Sequence, residues 1–392
     1  MSATILSLSG KRALAAQTPV NENGRLAAFL AKVYETMDDH YYLPVSKAVY
    51  DDFLKNYTAE RLMGLNKKTR QAGDYVHLGA GLLVNKLKSP SDRFTNFVPS
   101  EKTKEFKSNA YAVTEDLGIE GKKTAAGFEI TKVEKHCEAF EKGVRPGDIL
   151  LKIKGRSVND MTEEEIRKAL SPELGLVASF QFFFQATKKT AEITLESKSY
   201  FKETVSVTDS GIPGILVIKI SHFNQKTSED FSEKMSSYGL PRIKHLVIDL
   251  RDNGGGPPLA AREILGFFLP PNDPLFAIAR KKKKPVMLMA PSQDVSYRGS
   301  ATVLVNKKTG SAAEMFSGIL QAKKIAKLTG QKTAGATYLK SIYDFEDKSM
   351  IFMITSLTYL YDRRVYPPDG LTPDITVGGD EDSLRVTLDK LR

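Results

Sequence analysis

The chain has 392 residues, with 57 Lys and Arg against 47 Asp and Glu, a net charge of +10 and 41% hydrophobic residues. These are ordinary globular values for two or three domains. No apolar run reaches the ~18 residues of a spanning helix, and the single cysteine, Cys137, excludes an internal disulfide or a cysteine-based metal site.

Residues 1–24 read as an unstructured leader or a truncated end. Lys11 and Arg12 follow the apolar run Ile5-Leu-Ser-Leu, the reverse of the order in a secretory signal, although Ala13-Leu-Ala15-Ala16 resembles a cleavage site. Residues 25–107 read as helical, from Leu26, Phe29, Leu30 and Val33 and then Val49, Phe53 and Leu54, with a break at Tyr41, Tyr42 and Pro44. Residues 108–200 carry strand patterns over 128–133, 149–153 and 176–184. Between them, 162–170 reads as a short amphipathic helix opened by Thr162 and Glu165 as a capping box. Cys137 is expected there as a small apolar filler.

In residues 201–378, strand patterns over 214–220, 246–250, 302–306 and 325–328 alternate with helical ones. Such alternation predicts a parallel or mixed sheet covered by helices. Residues 351–361 read as a final strand pair. Residues 379–392 read as a tail or helix through Leu384, Val386, Leu388 and Leu391. The densest basic run, Lys281 to Lys284 after Arg280, reads as a hairpin turn between 275–279 and 286–289. No aromatic-rich surface accompanies it, so nucleic acid is not an expected partner.

Two corners carry the chemistry. Ala301 to Asn306 is a β-prone apolar run, followed by Lys-Lys-Thr-Gly-Ser311-Ala312-Ala-Glu314 and a helical pattern through Met315, Phe316, Ile319 and Leu320. This sets Ser311 at a strand-to-helix corner, beside helix N–H groups that favour negative charge. The competing reading is an ordinary Gly-Ser helix cap. Glu314 reads as a stabiliser of the helix start. Leu246 to Gly256 runs from an apolar strand into Asn253-Gly254-Gly255-Gly256, where consecutive glycines admit a close ligand. Both motifs end parallel-type strands, where active sites of such sheets form.

At these residues the chain resembles the carboxyl-terminal processing peptidases, serine endopeptidases with an inserted PDZ domain, over roughly residues 30–378. Leu87 to Phe94 is similar to the family's loop before the PDZ domain, and Val144 to Leu150 to a PDZ signature. Leu246 to Gly256 resembles "DLR-x-N-x-GG", and Val303 to Phe316 the nucleophile strand and helix. Gly330 to Gly335 resembles "GE-x-T-x-G", and Gly370 to Ile375 the closing "G-I-x-PD-I". The resemblance implies a multidomain α/β chain. Its parts are a helical N-terminal region, a mostly β PDZ domain and a ClpP/crotonase-like β-sheet core covered by helices. It further implies Ser311 as nucleophile and the amides of Gly255, Gly256 and Ala312 as oxyanion hole. It implies protein or peptide substrates, no cofactor and no metal, and work outside the cytoplasm, in a bacterial envelope or organelle lumen. Assembly into a homo-oligomer stays open.

The family's general base is a lysine just after the "GE-x-T-x-G" turn; here that position is Ala336, and the glutamine usually found four residues later is Lys340. Relatives that use histidine carry it in the loop before the PDZ domain, which here holds Ser91 and Asp92. Their glutamate lies in the closing segment, which here offers Pro367, Pro368 and Asp369. Three readings follow: an artificial inactivating substitution, a lysine shifted to Lys340 on the same strand face, or a catalytically silent peptide-binding pseudopeptidase. The five histidines, His40, His77, His136, His222 and His245, form no metal-type cluster. His222 follows a core strand and is the one to test as a replacement base; His245 precedes one at its wrong end. Asp116-Leu117-Gly118-Ile119 occupies the place of the family's "G-L-G-I" peptide-binding loop. Asp116 adds negative charge where a terminal carboxylate docks. That disfavours carboxylate capture, and the alternative is a PDZ fold kept as lid or scaffold.

Overall fold

The computed structural model describes residues 21–69, 74–292, 296–336, 338–362, 369–378 and 382–392. Residues 1–20 of the expected leader, and Pro367 and Pro368 of the closing segment, lie outside them; residues 21–24, also expected in the leader, instead form the cap and first turn of a helix, because the Asn21 side chain accepts from Gly24 N. The chain divides into two compact units, one within 1–101 joined by 342–353, the other 102–341 with 354–392.

In the first unit, α1 (Glu22–His40), α2 (Lys47–Asn56), α3 (Ala59–Thr69) and α4 (Tyr75–Leu87) follow in sequence. The Asn21 side chain caps α1, and Leu26, Leu30, Val33 and Met37 form its buried stripe. Past α1, the fully buried Tyr41 donates its hydroxyl to Asp92 Oδ2 at 2.7 Å. Asp92 Oδ1 accepts from the Phe94 and Thr95 amides at 2.8 and 3.0 Å. The loop that carries histidine in some relatives is therefore a structural turn here. Strand β1 (Asn96–Val98) pairs antiparallel with Phe352, Ile351 and Met350. Phe345, from the same late segment, packs on Phe29 at 5.2 Å between ring centroids.

The second unit opens with α5 (Thr103–Tyr111) and β2 (Val113–Asp116). A mostly β layer follows: β3 (Ile119–Thr124), β4 (Gly127–Val133), α6 (Glu138–Glu141), β5 (Ile149–Ile153), β6 (Arg156–Ser157), α7 (Glu163–Leu170), β7 (Val177–Phe184), β8 (Lys189–Glu196) and β9 (Lys198–Phe201). The sheet order is β3-β4-β5-β7-β8, and β9 returns to pair with β2. The Thr162/Glu165 capping box is present at the start of α7. Phe128, Ile130, Leu150, Ile166, Phe180 and Phe182 form the core, with Cys137 filling a gap as the cap of α6. Burial pushes its thiol up to about 11.

The rest of the unit is the sheet β10-β11-β12-β15-β16-β19. Its strands are β10 (Val205–Thr208), β11 (Ile215–Ile220), β12 (His245–Asp249), β15 (Ser300–Val305), β16 (Ala326–Gly330) and β19 (Ile375–Thr376). From β11 to β19 every pairing is parallel. Between them come α8 (Thr227–Tyr238), α9 (Pro258–Leu265) and α10 (Ala312–Ala322). The strands are apolar on both faces because both are covered. Leu216, Ile218, Leu246, Ile248 and Val303 pack with Phe231, Ile264 and Phe316 of the three helices. Ile215, Val217, Val247 and Leu304 point the other way, against Leu384, Leu388 and Leu391 of α11 (Ser383–Leu391).

The basic run is a turn between the antiparallel strands β13 (Pro274–Arg280) and β14 (Val286–Met289). The expected strand pair over 351–361 is instead one strand, β18 (Met350–Leu360), whose later half pairs with β13. The run Ile351 to Leu360 contains no glycine, proline or asparagine to turn it. Strand β17 (Leu339–Asp344) pairs with β18. Among the described residues no helix is long and apolar enough to cross a membrane.

Candidate active site

Because β11, β12, β15 and β16 are parallel, the loops that leave them gather at one edge of the sheet. That edge receives residues 221–224, 250–257, 306–311 and 331–336, and hydrogen bonds lash these loops together. Gly310 N donates to Asn253 O at 2.9 Å and Ala334 N to Thr309 O at 2.9 Å. Thr309 Oγ1 donates to Leu250 O at 2.8 Å, and Asn253 Nδ2 to Ile220 O at 2.8 Å. The fully buried Asn253 and Thr309 thus anchor the glycine loop and the serine loop to each other.

Ser311 stands at φ 53°, ψ −120°, immediately before α10. A non-glycine residue holds such a backbone only where its surroundings enforce it, at a cost of about 1–3 kcal/mol. It is half-buried between the buried Gly310 and Ala312. The enforcing group is Glu314. Its carboxylate is fully buried and accepts four bonds: from Ser311 N at 2.9 Å, Thr333 Oγ1 at 2.5 Å, Gly335 N at 2.7 Å and Ala336 N at 2.8 Å. Glu314 does stabilise the start of the helix, and it also draws the 333–336 turn onto the serine corner. Ser311 N and Ala336 N share one carboxylate oxygen, so two hydrogen-bond lengths at most separate them.

Gly255, at φ 111°, lies against the serine: a Cβ added there would sit 2.7 Å from Ser311 Cβ and 2.9 Å from Gly310 O. Only glycine permits that approach. The Gly255 amide itself donates to Asn253 Oδ1 at 2.8 Å. Ala312 is the first residue of α10, so its N–H has no place in the helical ladder.

Ala336 is buried beside Gly310, its Cβ 3.5 Å from where a Gly310 Cβ would stand. Residues 332–336 are irregular and β17 begins only at Leu339. Position 336 and Lys340 therefore do not share the one strand face expected from the sequence. His222 Nε2 lies 3.0 Å from the Ala110 carbonyl, which can only accept, so Nε2 carries the proton. Burial lowers its pKa, outweighing that hydrogen bond, and Nδ1 keeps the lone pair. The next residue, Phe223, donates its N–H to Gly255 O at 2.9 Å. His245 begins β12 at the opposite edge, bonded to Ser300 and Thr302. Among the described residues no group of three or more His, Cys, Asp or Glu is arranged to hold a metal.

In the peptide-binding loop, Leu117 and Ile119 are buried and Gly118 stands at φ 68°. Leu117 N donates to Leu170 O at 3.3 Å, and Gly118 N to Asp116 Oδ1 at 2.7 Å.

The fold is that of a PDZ-bearing α/β peptidase with its candidate site beyond the carboxyl ends of parallel strands. Residues 214–377 match the model of peptidase family S41, and residues 108–178 match that of the PDZ domain. The core thus matches peptidase family S41 and the mostly β layer matches the PDZ domain, in the order that the sequence motifs led one to expect. It is similar to a probable CtpA-like serine protease of Staphylococcus saprophyticus, 24% identical over 347 residues, 88% of this chain and 64% of that protein. The corresponding Staphylococcus aureus (strain COL) protein is 23% identical over 317 residues, 80% of this chain and 62% of that one. The chain thus spans somewhat under two thirds of these relatives. Among solved structures, a lipoprotein from Streptococcus agalactiae covers 97% of this chain and 99% of its own at TM-score 0.51 and 13% identity. The tricorn protease covers 94% of this chain and 36% of its own at TM-score 0.50 and 13% identity. Both likenesses concern the fold.

Proposed function

We propose that this chain is a serine endopeptidase scaffold acting on unstructured or carboxyl-terminal segments of proteins, with Ser311 as nucleophile and no general base at position 336. The observation that carries the reading is the Glu314 carboxylate, which holds the strained Ser311 corner and the 333–336 turn at the two ends of one hydrogen-bond cluster. Attack by Ser311 Oγ on a carbonyl carbon builds negative charge on the carbonyl oxygen. The amides of Ala312 and Gly256 are the donors for it. The Gly255 amide joins them only by giving up the Asn253 side chain. A serine hydroxyl needs a base, and the methyl of Ala336 supplies none. The oxyanion donors alone sustain only a small residual rate. His222, whose pKa burial lowers, is the histidine to test as a replacement base, beside Lys340. The second reading, a silent peptide-binding pseudopeptidase, draws on the same alanine.

Cleavage of an unfolded protein, read by mass spectrometry, separates them. The chain as it stands is expected to cut slowly or not at all, and Ala336→Lys to cut at least about a hundredfold faster. Ser311→Ala in that background abolishes cutting. If Ala336→Lys, folded by circular dichroism, remains inert, the scaffold reading fails. The reading includes work outside the cytoplasm, in keeping with a structural relative that is a lipoprotein. Fractionation of expressing cells tests that point.

A further inference from the structure

The loop that in a PDZ domain receives a peptide's terminal carboxylate already holds a carboxylate of this chain. Such a loop works by aiming backbone N–H groups at the ligand's oxygens. Here Asp116 stands at the end of β2, fixed by the ladder that pairs it with Lys198. Its Oδ1 accepts from Gly118 N at 2.7 Å and from the Tyr200 hydroxyl at 2.6 Å, while Oδ2 accepts from Thr114 Oγ1 at 3.3 Å. The neighbouring Leu117 amide is spent on Leu170 O at the end of α7. The Gly118 carbonyl is spent as well, on Glu134 N at 2.8 Å. Gly118 is closely packed: a Cβ there would meet Cys137 at 2.6 Å and the Tyr200 hydroxyl at 3.1 Å. No cation pairs with Asp116 among the described residues, and the facing Lys198 is committed to Glu138 and Glu196. An arriving carboxylate would find the Leu117 and Gly118 donors taken and an uncompensated negative charge beside them. Strand β3, by contrast, ends its sheet with one edge that bears no strand.

We propose that Asp116 is a built-in occupant of the carboxylate nest, and that this domain takes extended peptide along the β3 edge without reading a free carboxyl terminus. The inference rests on the assignment of residues 108–178 as a PDZ domain. It narrows the substrate class to internal segments and to chains whose ends are blocked or distant. Asp116 is then a specificity-determining residue, acting by occupancy and by charge.

The test uses the full chain carrying Ser311→Ala, immobilised and exposed to a decapeptide library. Every sequence is present both as free acid and as carboxyl-terminal amide, with Leu, Ile, Val or Phe in the last position. Mass spectrometry reads the ratio of acid to amide among the retained peptides. The expected ratio is near one. Asp116→Gly opens the nest and removes the charge, and raises the ratio roughly tenfold or more. Asp116→Asn keeps an acceptor for Gly118 and Tyr200 while removing the charge, gives an intermediate ratio, and guards against a misfolded glycine variant. A ratio already near ten with Asp116 in place overturns the proposal, as does a ratio that neither variant moves. Retention of nothing also overturns it and favours a lid or scaffold. The cleavage assay of Ala336→Lys is independent of all these outcomes, so the peptidase reading stands or falls separately.

Discussion

At the scale of single residues, the chemistry turns on one carboxylate that performs none. Glu314 has four donors and no solvent, and three of its partners, Thr333, Gly335 and Ala336, lie 19 to 22 residues away. Glu314→Ala leaves those donors buried and unpaired, and is expected to cost about 3–5 kcal/mol in urea unfolding. Glu314→Gln, which keeps the shape and part of the bonding, should cost less. A loss under about 1 kcal/mol for the alanine variant would show that the turn is held by something else. The sequence made Glu314 legible as a stabiliser of the helix start, because spacing of three residues is a local signal. Its hold on the turn was not legible, since no local pattern marks a partner so distant. Asp116 is similar: its charge was plain in the sequence, but its bond to Tyr200 spans 84 positions.

At the scale of elements, what could be read was whatever burial writes into a run of residues. The strands β11, β12 and β15 are covered on both faces, so they appear as unbroken apolar stretches. The α7 capping box and the β13–β14 hairpin carry their own end signals. What could not be read were partnerships made late in the chain, such as residues 342–353 joining the helical unit, or β18 serving two neighbours in turn. Position 336 and Lys340 were not separable in the sequence either: residues 332–336 are irregular and only Lys340 lies on β17. One pairing between elements invites a test. Asp230 on α8 is fully buried and accepts from Lys135 Nζ at 2.7 Å and His136 Nε2 at 3.1 Å. Burial works against the charge on Lys135, yet its bonds to Asp230 and Glu233 hold its pKa above the ordinary range. Asp230→Ala should cost about 3 kcal/mol and speed amide exchange around residues 134–142 and along α8, leaving β12 and β15 protected. Unchanged exchange there would mean that apolar packing alone fixes this contact.

At the scale of the whole molecule, acid should loosen the fold before the carboxylates titrate. Burial depresses the pKa of both His222 and His245. The unfolded chain then binds more protons than the folded one once pH falls below the unfolded value of about 6.5. Stability from these two groups is complete above that value and is lost as pH drops toward their folded values. The melting temperature should therefore fall between pH 7.5 and 5.5, and fall less in the double variant His222→Gln, His245→Gln. An equal slope in both proteins would assign the effect to other groups. The convergence of loops at one sheet edge also bears on the order of synthesis. The serine corner draws on residues near 220, 253, 310 and 335, so a chain emerging from the ribosome lacks its last part until nearly the whole core is out. Until then Glu314 has no turn to grip, and the strained backbone of Ser311 has nothing to enforce it. A protein proposed to attack unfolded segments is, while itself unfolded and crowded among other nascent chains, without a tool to attack them.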